Sequence, residues 1–287
     1  MTYSRALQTL VYVLEASAVE AARRKAEWIL MDGCGIDRVR LIAYPETEIN
    51  PATWETCLSQ ARRCAAGEPL QYVLGYADFF NLRLRVTPDV LIPRPETEQL
   101  ADLLLTEIAD RPNPRILDVG TGSGCIALAV QFGRPDARVW ACDHSEAALK
   151  VAFRNRIDLR LPVSFFAADA LVPGFARALT GVLDVVVSNP PYVAREEEAD
   201  LPTDVVSYEP HTALFAPADP LAFYPAIAAE AAAVLRPNGR IFFEVHEERA
   251  DEVAALVGTS GFAEVRVERD FSGRPRFVKG VLKPSGG

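Results

Sequence analysis

The side chains best suited to chemistry lie in the segment Ser188-Asn189-Pro190-Pro191-Tyr192. Pro190 and Pro191 lack amide hydrogens and fix φ, so they hold the chain extended with carbonyl oxygens available as acceptors. The Asn189 oxygen beside them completes a paired acceptor site for an –NH2 group on a planar carbon. Such a nitrogen is a weak nucleophile, so positioning and electrostatics would supply the acceleration. Asn189, Pro190 and Tyr192 are therefore candidate catalytic residues, with Tyr192 offering a flat face to the planar group.

A glycine-rich loop, Asp118-Val119-Gly120-Thr121-Gly122-Ser123-Gly124, joins a predicted strand to a predicted helix. Cys125 stands where a dinucleotide fingerprint requires its last glycine, and the Gly-Lys-Ser/Thr of a P-loop does not follow. The spacing instead resembles the S-adenosylmethionine loop of Rossmann-like methyltransferases. Asp143 ends the second predicted strand of this domain, where its carboxylate can accept both ribose hydroxyls. Asp169 ends the third, and with Ala170 is a candidate for the adenine edge.

The cysteines and histidines predict neither a metal site nor a disulfide framework. The five cysteines are odd in number and never form Cys-x-x-Cys, so we expect reduced, mostly buried thiols. Cys142-Asp143-His144 does not suggest a metal, because adjacent residues of a strand point to opposite faces.

The elements that must position these residues form an α/β pattern after Pro114. Apolar runs at 115–119, 138–142, 163–168, 183–188 and 240–245 read as strands, and stretches at 123–132, 145–159 and 221–235 read as helices. This alternation predicts a doubly wound parallel sheet. Two further runs, 262–267 and 276–282, are joined by a loop too short for a crossover helix, so they should pair antiparallel at one end.

The chain before this sheet predicts a small helical bundle and a hairpin. Residues 1–66 read as helices, one of them Ala18–Met31, and another is capped by Asn50 with Pro51 at its first position. Alternation after Tyr76 predicts a β-hairpin that turns near Asn81, followed by a helix over 96–110. We therefore divide the chain into a helical domain (1–73), a hairpin and linker (74–95) and a sheet domain (96–287).

Composition and charge exclude several classes of protein. The 287 residues are 49% hydrophobic and carry 39 acidic against 30 basic groups, a net charge of -9. That balance disfavours a protein held on duplex nucleic acid or an anionic membrane by long-range attraction. No apolar stretch resembles a membrane span or an export signal, so we expect a cytoplasmic protein.

Nearly the whole chain resembles the protein-(glutamine-N5) methyltransferases that modify the Gly-Gly-Gln glutamine of peptide chain release factors. The resemblance is carried by Gly67-Glu68-Pro69-Leu70-Gln71-Tyr72 with Gly75, Leu91-Ile92-Pro93-Arg94-Pro95-Glu96-Thr97-Glu98, Asp118–Gly124, Asn189–Tyr192, and Tyr208-Glu209-Pro210 with Ala213-Leu214. It implies a class I methyltransferase sheet of seven strands with a helical N-terminal domain that docks the release factor. It also implies S-adenosyl-L-methionine as methyl donor, with S-adenosyl-L-homocysteine as product. We expect a monomer that binds neither nucleic acid nor membrane directly.

The same resemblance distributes roles among the site residues. Asn189 and the Pro190 carbonyl would hold the glutamine amide, beside Pro191, Tyr192 and Arg94. Contacts to the cofactor are expected at Gly120, Thr121, Gly122, Ser123, Gly124, Asp143, Asp169, Ala170 and Asn189. Two positions depart from the family: Ala170, where some relatives carry an aromatic ring, and Ala216-Pro217-Ala218, where a Gly-rich turn is usual. Arg94 could orient a ligand or pair with Glu96 and Glu98, and Glu209 could act in the site or as a structural cap.

Three alternatives stay open at the level of sequence. A sister group methylates a glutamine of a large-subunit ribosomal protein, although Pro93–Glu98 reads as the release-factor type. An adenine or guanine amino-methyltransferase would use the same acceptors after base flipping, and a basic patch near the C-terminus favours it. This patch comprises Arg266, Arg269, Arg274, Arg276, Lys279 and Lys283, and a solvated edge hairpin would explain it equally well. A cofactor-binding module without turnover is the third, but it would not need the paired acceptors.

Overall fold

A computed structural model describes residues 1–179, 182–216 and 219–284, in two compact units. The first unit contains Met1–Tyr76 together with Pro202–Tyr208. The second contains Ala77–Leu201 and the chain from Glu209 onwards. Within the described ranges, every helix falls short of the length and apolar character needed to cross a membrane.

The first unit begins with five helices whose apolar faces share one core. They are α1 (Tyr3–Glu15), α2 (Ala22–Cys34), α3 (Arg38–Ala43), α4 (Pro51–Ala65) and α5 (Leu70–Leu74). Leu10, Leu14, Ile29 and Leu30 are fully buried in that core. The Asn50 side chain accepts a hydrogen bond from the Ala52 amide at 2.8 Å, which confirms the predicted N-cap of α4.

One helix of this unit starts later than the sequence pattern predicted. We predicted a helix from Ala18, but Ala18 and Ala21 have φ values of 53° and 51°, so α2 begins at Ala22. Left-handed backbone cannot continue an α-helix of L-residues. The prediction was wrong here because alanine fits the apolar pattern of a helix whatever the backbone does.

A short hairpin follows, as predicted, with β1 at Tyr76–Phe79 and β2 at Leu82–Arg85. Phe80 and Asn81 both have positive φ, 50° and 61°, which is the backbone of a tight two-residue hairpin turn. Phe79, Leu82 and Leu84 are buried in the core of the second unit, while Arg83 and Arg85 are exposed. The predicted alternation is therefore confirmed.

In the described part of the chain, seven strands form the central sheet in the order β5-β4-β3-β6-β7-β9-β8. These strands are β3 (Arg115–Val119), β4 (Arg138–Asp143), β5 (Ser164–Ala167), β6 (Leu183–Ser188), β7 (Leu235–Glu244), β8 (Phe262–Arg269) and β9 (Pro275–Leu282). The first five are parallel, whereas β9 pairs antiparallel with both β7 and β8. This strand order, with an antiparallel pair at one end, matches the seven-stranded sheet that we expected.

Helices cover both faces of the sheet. The helices of the second unit are α6 (Pro95–Glu107), α7 (Cys125–Gly133), α8 (Glu146–Leu159), α10 (His211–Leu214), α11 (Phe223–Val234) and α12 (Ala250–Thr259), whereas α9 (Thr203–Tyr208) belongs to the first unit. One core gathers buried residues of α6 and α7, such as Leu100, Leu104 and Leu128. The other gathers residues of α11 and α12, such as Ile227 and Val253.

Two predicted boundaries, the end of α11 and the start of β7, need correction. The helix predicted to reach Leu235 ends at Val234, and β7 begins at Leu235 rather than at Arg240. We did not predict α12, although its buried residues Ala250, Val253 and Val257 follow helical spacing.

Asn155 ties the hairpin to the glycine-rich loop. This side chain on α8 is 1% exposed, and its Oδ1 accepts from the Arg85 amide at 2.7 Å. Its Nδ2 donates to the Arg85 carbonyl at 3.1 Å and to the Ser123 carbonyl at 2.9 Å. One buried amide thus satisfies backbone groups of two separate segments.

We predict that Asn155→Ala lowers the free energy of unfolding by about 2–4 kcal/mol, because it leaves backbone groups without partners. Arg85→Ala is the matched control: it keeps the same backbone bonds and removes an exposed ion pair with Asp158, so it should cost less than about 1 kcal/mol. Urea denaturation followed by circular dichroism measures both. Equal losses in the two variants would contradict the role given to Asn155.

Candidate active site

The glycine-rich loop leaves β3 in a conformation that its glycines permit. Gly120 and Gly122 have φ values of 73° and 55°, a region that residues with a Cβ rarely adopt. A Cβ atom at either position would meet nothing within 4 Å, so open space lies beside this backbone. Gly124 differs, because its Cβ would lie 3.1 Å from Leu128. The first two glycines therefore allow a ligand to approach, and the third allows close packing.

Asp143 holds the loop from the end of β4. Its Oδ2 accepts from the Gly122 amide and its Oδ1 from the Ser145 amide, both at 2.9 Å. The amides of Gly120 and Thr121 also donate to the neighbouring Cys142 carbonyl at 2.9 Å. A carboxylate oxygen can accept more than one hydrogen bond, so Asp143 retains acceptor capacity toward the space beside the loop.

Asp118 supports the loop from below and was not among the predicted site residues. It is fully buried, and its Oδ2 accepts from the Thr121 hydroxyl at 2.6 Å and from the Ala127 amide at 3.2 Å. Its Oδ1 accepts no hydrogen bond from the described residues. Burial raises the pKa of this carboxyl to about 7, because charge is costly away from water.

The segment Asn189-Pro190-Pro191 follows β6, the strand beside β3. The Ser188 hydroxyl donates to the Val119 carbonyl at 2.7 Å, which joins the two strand ends. Asn189 is half-buried, and its Nδ2 donates to the Thr97 hydroxyl oxygen at 3.2 Å. Because the amide nitrogen is used in this way, Oδ1 is the acceptor that Asn189 retains for a ligand.

A cavity of about 390 Å³ lies between these two segments. Its wall includes eleven of the thirteen predicted site residues: Arg94, Gly120, Thr121, Gly122, Ser123, Asp143, Asp169, Ala170, Asn189, Pro190 and Pro191. The structure therefore gathers at one opening residues that lie far apart in the chain. Gly124 and Tyr192 are not part of the wall formed by the described residues.

The observed contacts of the Tyr192 side chain are with Glu244 and His246. Its hydroxyl donates to Glu244 Oε1 at 3.4 Å, and its ring packs edge-on to His246 at 6.1 Å. Burial is the main cause that raises the pKa of the Tyr192 phenol well above its usual range. A flat face presented to the acceptor therefore remains a prediction, whereas the contact with Glu244 is observed.

Asp169 and Ala170 line the cavity just beyond β5. Asp169 Oδ1 accepts from the Leu171 amide at 2.9 Å, a local turn contact that also orients this carboxylate. Ala216, the first residue of the predicted departure from the family, lies on the same wall. Pro217 and Ala218 lie outside the described residues.

Arg94 pairs with Glu209, and not with Glu96 or Glu98 as the sequence suggested. Its guanidinium contacts Glu209 Oε1 at 2.5 Å rather than Glu96 or Glu98. Glu209 is 3% exposed, and its Oε2 accepts from the Ile92 amide at 3.0 Å. Glu209 thus ties down the segment before α6 while Arg94 faces the cavity. Glu98 has a separate structural role, because it accepts from the Phe80 amide at 3.1 Å.

Several wall residues were missed by sequence reasoning. Thr97 lies within the Pro-Arg-Pro-Glu-Thr-Glu segment, so its motif was recognised but its role was not. The Arg195 guanidinium lies 4.4 Å from the centre of the Phe215 ring. Arg195, His211, Thr212 and Phe215 all line the cavity. Their positions depend on the bridge between Val193 and Phe215, a contact without a local sequence pattern.

Three of the six basic residues of the C-terminal patch, Arg274, Arg276 and Lys279, are paired with acidic side chains. Lys279 contacts Glu107 at 3.0 Å and Glu268 at 2.8 Å. Arg274 and Arg276 both approach Glu247, at 3.2 and 3.7 Å. These ion pairs support the interpretation of this segment as a charged edge hairpin rather than a surface for nucleic acid.

Comparison with known proteins bears directly on this cavity. Two family models match the chain, the PrmC N-terminal domain over residues 5–75 and the methyltransferase small domain over residues 94–208. A release factor glutamine methyltransferase of Chlorobaculum tepidum is 38% identical over 273 residues, which cover 93% of this chain and 92% of that protein. One of Cereibacter sphaeroides is 39% identical over 293 residues, covering 98% and 99%. This chain belongs to the release factor glutamine methyltransferase family.

Membership of the release factor glutamine methyltransferase family confirms the resemblance drawn from the motifs, and it makes the chain a methyltransferase. A solved methyltransferase of Pyrococcus furiosus is 18% identical, with a TM-score of 0.53 over 71% of this chain and 91% of that one. At this identity the likeness concerns the fold, and it agrees with the sheet described above.

We predict that Glu209→Gln lowers the free energy of unfolding by about 2–3 kcal/mol, because the half-buried Arg94 loses a charged acceptor. The matched control is Asp78→Asn, which breaks the exposed pair with Arg83 and should cost less than about 1 kcal/mol. Thermal and urea denaturation of the three proteins provide the comparison. Wild-type stability of Glu209→Gln would show that this pair does not hold the segment.

Proposed function

We propose that this chain transfers a methyl group from S-adenosyl-L-methionine to the side-chain amide nitrogen (N5) of the glutamine in the Gly-Gly-Gln motif of peptide chain release factors. The observation that carries the proposal is the orientation of Asn189. Its Nδ2 donates a hydrogen bond to the Thr97 hydroxyl oxygen, so Oδ1 is available at the cavity beside two prolines. An acceptor at this position complements an –NH2 group rather than a carbonyl oxygen.

The loop beside β3 fits the methyl donor. Open space next to the Gly120 and Gly122 backbone suits a ligand that lies against the chain. Asp143 and Asp169 line the same region and supply acceptors for hydroxyl and amino groups. When bound there, S-adenosyl-L-methionine would supply a methyl group made electrophilic by its sulfonium sulfur.

The chain's own residues would act by positioning. Asn189 Oδ1 and the Pro190 carbonyl oxygen accept the two hydrogens of the glutamine amide and fix its nitrogen. These contacts favour the pyramidal nitrogen that the transition state requires, so they contribute more to the transition state than to the bound substrate. Pro190 and Pro191 keep the acceptors rigid because their φ angles are fixed.

The release factor as substrate is supported by the names of the relatives, which extend over both units of the chain. The family model of residues 5–75 covers the helical part, which we propose as the docking domain. An acidic chain with paired C-terminal cations is better suited to a protein substrate than to a nucleic acid.

The direct test incubates the purified chain with methyl-labelled S-adenosyl-L-methionine and, in parallel, a release factor, ribosomal proteins and RNA. We expect one methyl group per release factor, and none in a factor whose Gly-Gly-Gln glutamine is replaced by alanine. Label confined to a ribosomal protein or to RNA would overturn the proposed substrate. Donor binding without transfer to any of the three would overturn the enzymatic function.

A pair of variants separates the two halves of the site. Asn189→Ala should lower kcat by about 100-fold and weaken donor binding far less, because the lost acceptor acts on the reacting nitrogen. Asp143→Ala should instead weaken donor binding by about tenfold or more. Titration calorimetry gives the affinities, and single-turnover assays give the rates. A loss of donor binding in Asn189→Ala would contradict the role assigned to it.

A further inference from the structure

Three polar side chains form a hydrogen-bonded chain from the core of the second unit to the cavity. Glu244 is the last residue of β7 and is 2% exposed. Thr97, in the first turn of α6, is also 2% exposed, and its hydroxyl donates to Glu244 Oε2 at 2.8 Å. Asn189 donates from Nδ2 to the Thr97 oxygen at 3.2 Å. Thr97 thus connects the acceptor amide of the site to the buried carboxyl group of Glu244.

When Glu244 is ionised, these two hydrogen bonds can be donated in only one direction, toward Glu244. A carboxylate has no proton to donate, so the Thr97 hydroxyl must donate its single hydrogen to Glu244. Toward Asn189 the Thr97 oxygen is then only an acceptor. Asn189 therefore has to turn its –NH2 side to Thr97 and its Oδ1 to the opposite side.

The direction matters because an asparagine amide is nearly symmetric in shape but not in chemistry. Turned by 180° about its last torsion, Asn189 would present hydrogens where the site needs an acceptor. Those hydrogens would repel the –NH2 group of a glutamine and attract a carboxylate oxygen instead. A group that fixes this torsion consequently decides which ligand the site accepts.

We propose that Glu244 and Thr97 are positioning residues that set the orientation of the Asn189 amide and thereby make the site accept an –NH2 group in preference to an oxygen. This inference rests on the proposed function, in which Asn189 holds the glutamine amide. Neither Glu244 nor Thr97 needs to touch the reacting nitrogen. Their effect passes through one torsion of Asn189.

The surroundings of Glu244 hold it in place and make its charge depend on pH. The Tyr192 hydroxyl donates to Oε1 at 3.4 Å, and the Tyr224 hydroxyl donates to the Glu244 carbonyl at 3.2 Å. Burial, the largest cause, raises the pKa of Glu244 to about 7, and the Thr97 bond and the Arg276 charge oppose that rise. The ionisable groups that act on or respond to Glu244 are Glu96 of α6, Cys125 of α7, Tyr192, Tyr224 of α11 and Arg276 of β9.

The protonation state of Glu244 determines how the rate of methyl transfer should change with pH. Above about pH 7 Glu244 is a carboxylate, so the hydrogen bonds can run only from Asn189 to Thr97 and from Thr97 to Glu244. Below that pH the protonated group can donate to Thr97, which then can donate to Asn189, and both amide orientations become available. Methyl transfer at saturating donor should therefore decline as the pH falls through about 7.

The experiment compares Thr97→Val, Thr97→Ser and Glu244→Gln with wild type. Thr97→Val removes the hydroxyl and should lower kcat by about tenfold or more, with donor affinity changed less than about threefold. Thr97→Ser restores the hydroxyl and should recover kcat to within about threefold. Glu244→Gln can donate as well as accept, so it should lower kcat and flatten the decline below pH 7. Thr106→Val, an exposed change on the same helix, is the matched control.

A second measurement separates orientation from a general structural role. Affinities are measured for two release factors, one with Gly-Gly-Gln and one with that glutamine changed to glutamate. Wild type should prefer glutamine, and this preference should fall at least about fivefold in Thr97→Val and Glu244→Gln. A merely structural role would weaken both affinities equally and leave the preference unchanged. That outcome, or wild-type kcat in both variants, would overturn the inference.

Failure of the proposed function would be visible in the wild type. If wild type methylated an –NH2 group of a different substrate, the release-factor proposal would fail, and the same variants would test the orientation of Asn189 on that substrate. If wild type methylated the release factor but the variants kept its rate and its preference, only the role of Thr97 and Glu244 would fail.

Discussion

The site depends on two neighbouring parallel strands whose connections leave the sheet in opposite directions. The chain continues from β3 to β4 and β5 on one side and from β6 to β7 on the other, so the loops after Val119 and Ser188 must diverge. The hydrogen bond from the Ser188 hydroxyl to the Val119 carbonyl keeps the strand ends together up to that point. The crevice that opens beyond it places the glycine-rich loop on one side and Asn189 on the other.

Carboxyl groups behind the cavity and in its wall orient the few polar groups that face it. Asp118 holds Thr121, Asp143 holds the Gly122 amide, and Glu244 holds Thr97 and through it Asn189. Burying carboxyl groups is costly, and the raised pKa values of Asp118 and Glu244 are the visible sign of that cost. The gain is a set of donors and acceptors that need not reorganise when a substrate arrives.

How much could be predicted from the sequence depended on the range of the interactions involved. Periodicity and glycine spacing act locally, so the parallel sheet, the hairpin turn at Asn81 and the loop at 120–124 were predicted. The pairing of Arg94 with Glu209 joins residues 115 positions apart, and no local pattern indicates it. The direction of Tyr192 and the contact of Glu244 with Thr97 also required the packed structure, because both depend on how α6 and β7 meet. The start of α2 was wrong for the opposite reason: a local left-handed turn at Ala18 and Ala21 overrode a periodic pattern.

The segment Pro202–Tyr208 has a topological consequence. It packs with the first unit, where the Tyr208 hydroxyl donates to the Ala66 carbonyl at 3.2 Å, although the chain on both sides of it belongs to the second unit. The backbone therefore crosses between the two units three times, after Tyr76, Leu201 and Tyr208. The helical unit is not a contiguous module that could be excised at one linker, since a fragment ending at Tyr76 would lack α9. Any exchange of this unit between relatives would have to carry two separate stretches of chain together.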